Sequence, residues 1–585
     1  MKNREVAALF RNIADLLSIR GDQFHRIMAY RRAADSIEDL GRDINQIYAE
    51  GGLTDIPGIG KTLAEKIEEM LTTGKLSFYE KLTETVPPSL LELLRVDGLG
   101  PKRVKQVYKE LGITTLAQLT EAAQAGRLRE LSGMGEKSEA KIVAAIAALA
   151  RHGDERTPLG EAWPLAQSIL AELAKVPGVE KTAVAGSLRR MRETIGDIDL
   201  LVAAQPEAAP TIMETFVNLP QVESISGQGS TKSSVVLLSG MQVDLRVLPP
   251  ARWGTLLSYF TGSKAHNVRL RELALKQGLS LNEHAFTPVA GGPYDGQEEI
   301  VCGEETAVYT TLNLPYIPAP LREDRGEIEA AQSGQLPNLI QLEQIVSDLH
   351  LHTTWSDGKM SVLEMARAAQ ANGLQYIVIT DHTESLGIAN GLSEERLWQQ
   401  SLEIREADEA MGPDFTVLHG AEVEIKADGS LDYEDYVLEA LDFVIASLHV
   451  SLTQPREQIT ERLLQAMANP HVDMIAHPTG RLLPDRPGAD LDMDRIFAAA
   501  AATKTILEIN ANPRRLDLHD SHVRRAVELG LPLAINTDAH HAHQFNLRHY
   551  GVATAQRGWA TADLIVNTWP LEKFLAFLQN DNSNF

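Results

Sequence analysis

The sequence predicts a multidomain chain of mixed class: an all-helical N-terminal part, an α+β part built on a mixed sheet, and an α/β part of (β/α) barrel type. Three observations carry this. Residues 1–150 hold three spaced G-x-G turns, each leading into a helical stretch. Residues 184–248 place carboxylates on short strands beside a Gly-Ser turn. From 349 to 541, apolar β-branched runs end repeatedly in His, Asp or Glu. At 585 residues the chain is too long for one core, so three or four domains are expected.

A helical domain is expected over 1–85, from the amphipathic spacing of REVAALFRNIADLLSI to the paired prolines of TVPPSL, which break it. A second helical domain fills 86–150. The phrases IPGIGKTLAEKI (56–67), VDGLGPKRVKQV (96–107) and LSGMGEKSEAKI (131–142) share one form. An apolar residue precedes a turn built on Gly58 and Gly60, Gly98 and Gly100, or Gly133 and Gly135, and a helix opens behind it. Unpaired N–H groups at such a helix start suit a phosphate. A single turn of this kind is ordinary packing, whereas three at regular separations indicate a repeated module.

RHGDERTPLG leads into the α+β part, 151–248, followed by a smaller segment over 249–318. In VAGSLRRMRETIGDIDLLV (184–202) a strand, a Gly-Ser turn and a basic pair precede Asp197 and Asp199, placed at i and i+2 on a second strand. MQVDLRVL brings Asp244 on another. Three convergent carboxylates form an oxygen-rich site for two Mg²⁺ or Mn²⁺ ions. In-line nucleotidyl transfer uses two such ions, one at the attacking 3′-hydroxyl and one at the leaving pyrophosphate. Gly186, Ser187 and Gly196 let backbone N–H groups approach a triphosphate, and Arg190 can neutralise it.

The stretch 319–339, APLREDRGEIEAAQSGQLPNL, has few large apolar residues and reads as the main interdomain linker. The rest, 340–585, is the barrel. His350, His352, Asp357, His382, Glu422, His449, His477, Asp538 and His540 cluster where runs such as QYIVITDH and PLAINTDAH end, the face on which barrel active sites sit. Within HLH and DAH the spacing i, i+2 turns both side chains to one side of a strand. Nine ligands exceed what a single catalytic zinc uses. Imidazole and carboxylate without thiolate suit two or three ions of Mn²⁺, Zn²⁺ or Fe²⁺.

These residues resemble known families. The nine ligands match the PHP (polymerase and histidinol phosphatase) family of metal-dependent phosphoesterases, whose fold is a distorted barrel with a trinuclear site. GSxRR, DxD and the distant VDLR resemble the nucleotidyltransferase palm of family X DNA polymerases, the polymerase β group. That match continues in YFTGSKAHNVRLRELA (259–274). There Tyr259, Phe260 and Gly262 fall on the sugar pocket, Asn267 on the base-edge contact and Arg271 on the residue nearing the template. Gln242 departs from the pattern, since vertebrate relatives carry an arginine there. The three G-x-G phrases resemble helix-hairpin-helix motifs, which grip DNA backbone without reading sequence. Lys66 aligns with the Schiff-base lysine of the family's 5′-deoxyribose-phosphate lyase domain. His25, Arg26, Tyr30 and Arg31 align with its phosphate-binding helix, and Thr62 replaces a second lysine of the vertebrate pocket. The order of modules identifies the chain as a bacterial-type family X polymerase with a C-terminal PHP domain.

The resemblance implies gap filling in base excision repair on gapped or nicked DNA with deoxynucleoside triphosphates. It also implies a metal-dependent 3′-5′ exonuclease, with abasic-site cleavage as an additional activity. Arg481 in HPTGR and Arg515 in NPRRLD are candidates for holding a phosphate. Two other readings of the PHP part stay open: a pyrophosphatase or phosphatase, and a structural module that positions DNA.

The net charge of −25 looks unsuited to DNA until it is divided along the chain. Residues 1–150 carry 21 basic and 21 acidic side chains, while 331–585 carry 18 against 36, so most of the excess lies in the metal-binding part. Bound cations offset some of that acidity. The hairpins add positive potential through helix N-termini, so binding to intact duplex should be weak and salt-sensitive, with a preference for gaps or ends. No apolar run is long enough to span a membrane and no export signal is visible, which together with the single Cys302 suggests a cytoplasmic protein, and the family resemblance adds the expectation of a monomer associated with the nucleoid.

Overall fold

The computed structural model describes residues 1–96, 98–152 and 156–581, which form two compact units. The first comprises 1–156, 217–228 and 233–243; the second comprises 157–216, 229–232 and 244–585. Asp97 of the second G-x-G phrase and residues 153–155 of RHGDERTPLG lie outside the described residues. The helix Glu136–His152 runs past position 150, where a domain boundary is expected.

The helical unit begins with Asn3–Arg20, which buries Val6, Phe10, Ile13, Ala14 and Leu17 on one stripe and stops at Gly21, whose φ of 90° ends the helix in a left-handed turn. It packs against Phe24–Glu38, where Tyr30 sits edge-on to Phe10 and stacks on Phe78. The three hairpins share one backbone solution. Gly58, Gly98 and Gly133 take φ of 81°, 85° and 77°, a region that disfavours any side chain. Between the two glycines Ile59, Leu99 and Met134 are buried as anchors. Gly60 and Gly100 cap Lys61–Thr73 and Pro101–Leu111, and Gly135 directly precedes Glu136. A Cβ added at Gly60, Gly100 or Gly135 would meet nothing within 4 Å, so each turn is open to an approaching phosphate.

A five-stranded sheet follows: β1 (Val179–Val184), β2 (Ile198–Ala204), β3 (Val222–Gln228), β4 (Lys232–Leu237) and β5 (Gln242–Leu248). Its order is β1-β2-β5-β4-β3. In β5, Val243, Leu245 and Val247 are buried and alternate with half-exposed Gln242, Asp244 and Arg246, which therefore share the open face. The segment 249–318 adds the helices Trp253–Thr261, Lys264–Lys276 and Glu305–Thr311 around Leu270, Phe286, Tyr309 and Leu312.

The stretch 319–339 corrects the expectation of a linker. It carries the helix Glu327–Gln332, and Leu321, Arg322, Glu327, Ile328 and Ala331 are buried. Composition misled because much of what holds the segment is polar. Arg322 donates to Glu305 at 2.6 Å and to the Ile317 carbonyl at 2.8 Å, while Glu327 lies 2.7 Å from His266 Nδ1. Buried charges are tolerated when paired in this way.

Burial alone would raise the Glu305 carboxyl, but Arg189 and Arg322 hold it at about 2 against an ordinary 4.5. A lowered folded value means that the contribution, about 3 kcal/mol, is full above the ordinary value and lost as pH falls toward 2. Arg322→Met should therefore cost about 3–5 kcal/mol at pH 7, the range for breaking a buried pair. The deficit should shrink at pH 3 in urea titrations, and an unchanged deficit would contradict the pairing.

The barrel is built from β6 (Ser347–Asp348), β7 (Tyr376–Ile379), β8 (Thr416–Glu424), β9 (Phe443–Ser447), β10 (Met474–Ile475), β11 (Ile506–Asn510) and β12 (Leu533–Asn536). All seven are parallel and adjacent in sequence order. Runs such as YIVI and FVIAS are buried throughout, as expected of parallel strands covered on both faces. Leu351 bridges Ala539, and the Leu349 N–H donates to Asn536 Oδ1 at 3.0 Å, so the last strand approaches the first and nearly closes the ring.

Candidate active site

Two sites occupy the second unit. In the first, Asp199 and Asp244 stand on the open face of β2 and β5, with Asp197 just before β2. Burial pushes the Asp199 carboxyl up to about 7, and the like charges of Asp197 and Asp244 add to it against Arg246 and Lys232. Lys232 Nζ lies 2.8 Å from Asp244. Mutual repulsion among three carboxylates is what hard divalent cations relieve, so the donor set fits the expected pair of ions. Gly186, with φ of 59°, opens the Gly-Ser turn, and a Cβ there would stand 2.4 Å from Asp199 Oδ2. The glycine is thus required by the carboxylate as well as by backbone conformation. Ser187 follows on the same short helix, and Gly196 is exposed beside Asp197.

Arg190 Nη1 donates to the Thr261 carbonyl at 2.6 Å and Nε to Glu323 at 3.0 Å. The helix ending at Thr261 presents Tyr259 and Phe260 edge to face, 5.2 Å apart, and Arg246 lies 4.2 Å from the Phe260 ring centroid. Gly262 turns the chain at φ 69°, and a Cβ there would stand 3.1 Å from Arg190 Nη1. Asn267 Nδ2 donates to the Tyr259 carbonyl at 2.6 Å. Tyr259, Asn267 and Arg271 line one small cavity with Thr255, Ser258 and Leu281. The expected pocket residues are therefore gathered around one turn.

The second site lies at the carboxyl ends of the barrel strands, and all nine expected ligands meet there. They fall into four overlapping groups: His352, Asp357, His382 and His540; His350, Glu422 and His477; His350, His352 and Asp538; His382, Glu422 and His449. Glu422 is the hub. Its carboxylate lies 2.9 Å from His382, 3.0 Å from His477, 3.3 Å from His350 and 3.5 Å from both His352 and His449. Asp538 Oδ1 is 3.1 Å from His352 and 3.7 Å from His350, and Asp357 is 3.2 Å from His540.

Fit to metal follows from what these buried groups lack. His350 Nε2, both His352 nitrogens, His382 Nδ1, His477 Nδ1 and Glu422 Oε2 are buried without a hydrogen bond. Such orphans are costly unless something coordinates them. Burial, with neighbouring His540 and His382, pushes His352 down to about 3 and keeps it neutral, whereas the carboxylates around them raise His350 and His382 and bring His540 up to about 9. His477 and Asp538 sit at φ of 27° and 53°, conformations that cost about 1–3 kcal/mol each and persist where the surroundings enforce them. The His477 N–H is tied to Glu508 at 2.7 Å, and Asp538 Oδ2 to Asn510 at 3.2 Å.

Glu508 was not visible as a functional residue in the sequence. It accepts from His350 Nδ1 at 2.8 Å and so orients that ring, and Glu424 does the same for His449 at 2.8 Å. The available signal was a carboxylate inside an apolar strand, ILEIN, and a second one two residues after Glu422. Arg515 stands beside the cluster, with Nε 3.4 Å from Asp538 and Nη1 buried without a partner. Arg481 does not join it, because its guanidinium nitrogens are occupied by Glu193 and the carbonyls of Arg515 and Leu516.

In the helical unit, Lys66 Nζ lies 4.9 Å and the Arg26 guanidinium 5.1 Å from the Phe78 ring centroid. His25 is exposed, and Arg31 pairs with Asp15 at 2.9 Å. Tyr30, at 3% exposure, is a core residue beneath Phe78 and offers no surface contact, because its ring fills the gap between two helices.

The chain matches known families along its length. Residues 1–76 match a helix-hairpin-helix domain, 90–148 a SAM-like helix-hairpin-helix tandem, 256–323 the DNA polymerase beta thumb and 348–512 the PHP domain. It is 39% identical over 584 residues, covering all of both chains, to the DNA polymerase/3′-5′ exonuclease PolX of Bacillus subtilis. It is 26% identical over 334 residues, 52% of this chain and 53% of the relative, to DNA polymerase lambda of Rattus norvegicus. A probable phosphatase of Thermoanaerobacter sp. (strain X514) is 30% identical over 237 residues, 38% of this chain and 91% of that protein. Divalent-metal use follows from this kinship together with the ligand clusters, and no helix among the described residues is long and apolar enough to cross a membrane. With a DNA polymerase beta thumb and a PHP domain in one chain and full-length similarity to a PolX protein, the chain belongs to the bacterial-type family X DNA polymerases that carry a C-terminal PHP domain.

Proposed function

We propose that this protein fills short gaps in DNA during base excision repair and trims 3′ ends with its PHP domain. The gathering of nine ligand residues in one cluster with Glu422 at its hub, separate from the Asp197, Asp199 and Asp244 site, carries the reading. In the palm the three aspartates hold two Mg²⁺ or Mn²⁺ ions, Gly186, Ser187 and Gly196 admit the triphosphate, and Arg190 neutralises it. Tyr259, Phe260 and Gly262 shape the sugar pocket, Asn267 meets the base edge and Arg271 approaches the template. Two or three ions of Mn²⁺, Zn²⁺ or Fe²⁺ in the barrel supply Lewis acidity and an activated water when bound. Arg515, with an unpartnered buried nitrogen beside Asp538, holds the flanking phosphate of the strand being cut.

The DNA is gripped by the three hairpin turns at Gly58 and Gly60, Gly98 and Gly100, and Gly133 and Gly135, with His25 on the exposed side of the first helical domain. The domains are assigned as 1–85, 86–150, 151–248, 249–318 and 340–585, with 319–339 as a folded connection, and the protein acts as a monomer in the cytoplasm, associated with the nucleoid. A primer with a mismatched 3′ end tests the function. Wild-type protein should trim and extend it, whereas extension without trimming would remove the PHP domain from the repair reaction.

Kinship with a probable phosphatase favours one second reading, in which the barrel cleaves phosphomonoesters or pyrophosphate. Phosphate release from pyrophosphate, compared with release from a 3′-labelled oligonucleotide, separates the two.

Lys66 is proposed as a lyase nucleophile, with Arg26 across the Phe78 ring as the nearby cation such a lysine needs. Borohydride should trap a covalent adduct with a 5′-deoxyribose-phosphate end, and Lys66→Ala should abolish it. Trapping that survives the substitution assigns the role to another amine.

A further inference from the structure

We infer that Arg557, a residue of the PHP barrel, positions Arg190 in the nucleotide site of the palm and thereby sets the affinity of the polymerase for its triphosphate. The inference rests on the reading of Arg190 as a triphosphate contact.

Arg557 ends the barrel helix Arg548–Arg557 and is 4% exposed. Its Nη1 donates to the Arg190 carbonyl at 2.8 Å and to Glu323 Oε1 at 2.9 Å, and its Nη2 lies 2.7 Å from Asp520 Oδ2. Glu323 Oε1 also takes the Arg190 Nε at 3.0 Å, with Arg192 Nη1 at 3.7 Å. Asp520 is in turn paired with Arg325 at 3.2 Å. A single carboxylate oxygen thus holds one arginine from the palm and one from the barrel, and the same barrel arginine grips the palm residue by its backbone.

This arrangement bears on catalysis because of what it leaves Arg190 able to do. Nε and Nη1 are committed to Glu323 and to the Thr261 carbonyl, immediately before the turn at Gly262. These two bonds set the orientation of the planar fork, and the loss of such an alignment by about 1 Å can cost up to about 100-fold. Burial would raise the Glu323 carboxyl, yet Arg190 and Arg557 hold it at about 2, so it stays ionised throughout the working range. Nothing in the PHP chemistry needs Arg557, which approaches none of the nine ligands in the ion pairs and hydrogen bonds it makes.

The test is steady-state gap filling by full-length Arg557→Met, Arg557→Lys, Arg190→Met and the Arg557→Met/Arg190→Met double variant. Hydrolysis of a single-stranded 3′-labelled oligonucleotide is followed in parallel. Arg557→Met should raise KM for the incoming nucleotide about tenfold with kcat changed less, and leave 3′ hydrolysis at the wild-type rate. Arg557→Lys, which restores charge without the fork, should fall between. Because Arg557 acts through Arg190, the double variant should match Arg190→Met alone rather than add the two effects. Additive effects, or parallel loss of both activities, would overturn the inference by reducing Arg557 to general support. If Arg190→Met raises KM and Arg557→Met does not, the positioning role fails while the Arg190 reading stands. If Arg190→Met leaves KM unchanged, that reading fails first. Should Arg557→Met not fold, Arg557→Lys alone and combined with Arg190→Met carries the same comparison.

Discussion

Asp199→Ala should lower nucleotide addition on a one-nucleotide gap by at least about 10³-fold, the scale on which a preorganised charge stabiliser counts. Trimming of a single-stranded 3′ end should continue at the wild-type rate. The expectation follows from how Asp199 is held. It stands on β2 against Gly186, and its carboxyl is driven up to about 7 by burial and by Asp197 and Asp244, so a bound cation favours its charged form. Removing it deletes a ligand and also empties the space that the carboxylate fills against Gly186. A primer-extension assay and an exonuclease assay on one protein sample read the two outcomes. Loss of both activities in a folded variant would mean that the sites are not independent.

Glu422→Gln should give the mirror result. This substitution keeps the shape of the hub and removes its charge. Five imidazoles surround the carboxylate, and burial, which alone would raise its pKa, is overcome by His382, His350 and His449, so the group is held well below the ordinary range. A neutral amide offers one weak acceptor where the cluster needs an anion. Metal content by elemental analysis should drop by at least one ion per chain. Cleavage of 3′ ends should fall by more than about 100-fold, the upper end of what outer partners such as Glu508 are worth. Gap filling from a clean 3′-hydroxyl should be retained. On a mismatched primer the Asp199 variant then trims only and the Glu422 variant does neither. Extension of that primer by the Glu422 variant would take trimming away from the barrel and favour the phosphatase reading.

Much of both sites was legible in the sequence because their chemistry is local to strand ends. A ligand that must sit at the carboxyl edge of a parallel strand follows an apolar run, and such runs mark His382, His449, His477 and Asp538 in the sequence. The G-x-G turns were equally legible, since a left-handed φ at Gly58, Gly98 and Gly133 leaves little choice of residue. Composition failed where burial is polar. The stretch 319–339 resembles a linker by its few large apolar residues, yet Arg322 and Glu327 are buried by pairing with partners 17 and 61 residues away, Glu305 and His266.

The candidate ligands, the order of modules and the turn chemistry can be read along the chain, because each depends on residue type at short spacing. That Glu422 is the hub, and that Arg481 is spent on Glu193 while Arg515 faces the cluster, depends on how the chain packs. The same holds for Arg557, placed beside Arg190 although 367 residues separate them. Such contacts join side chains whose positions along the chain are unrelated, and no periodicity encodes them. They exist because packing brings distant backbones together and a buried charge must then find a partner there.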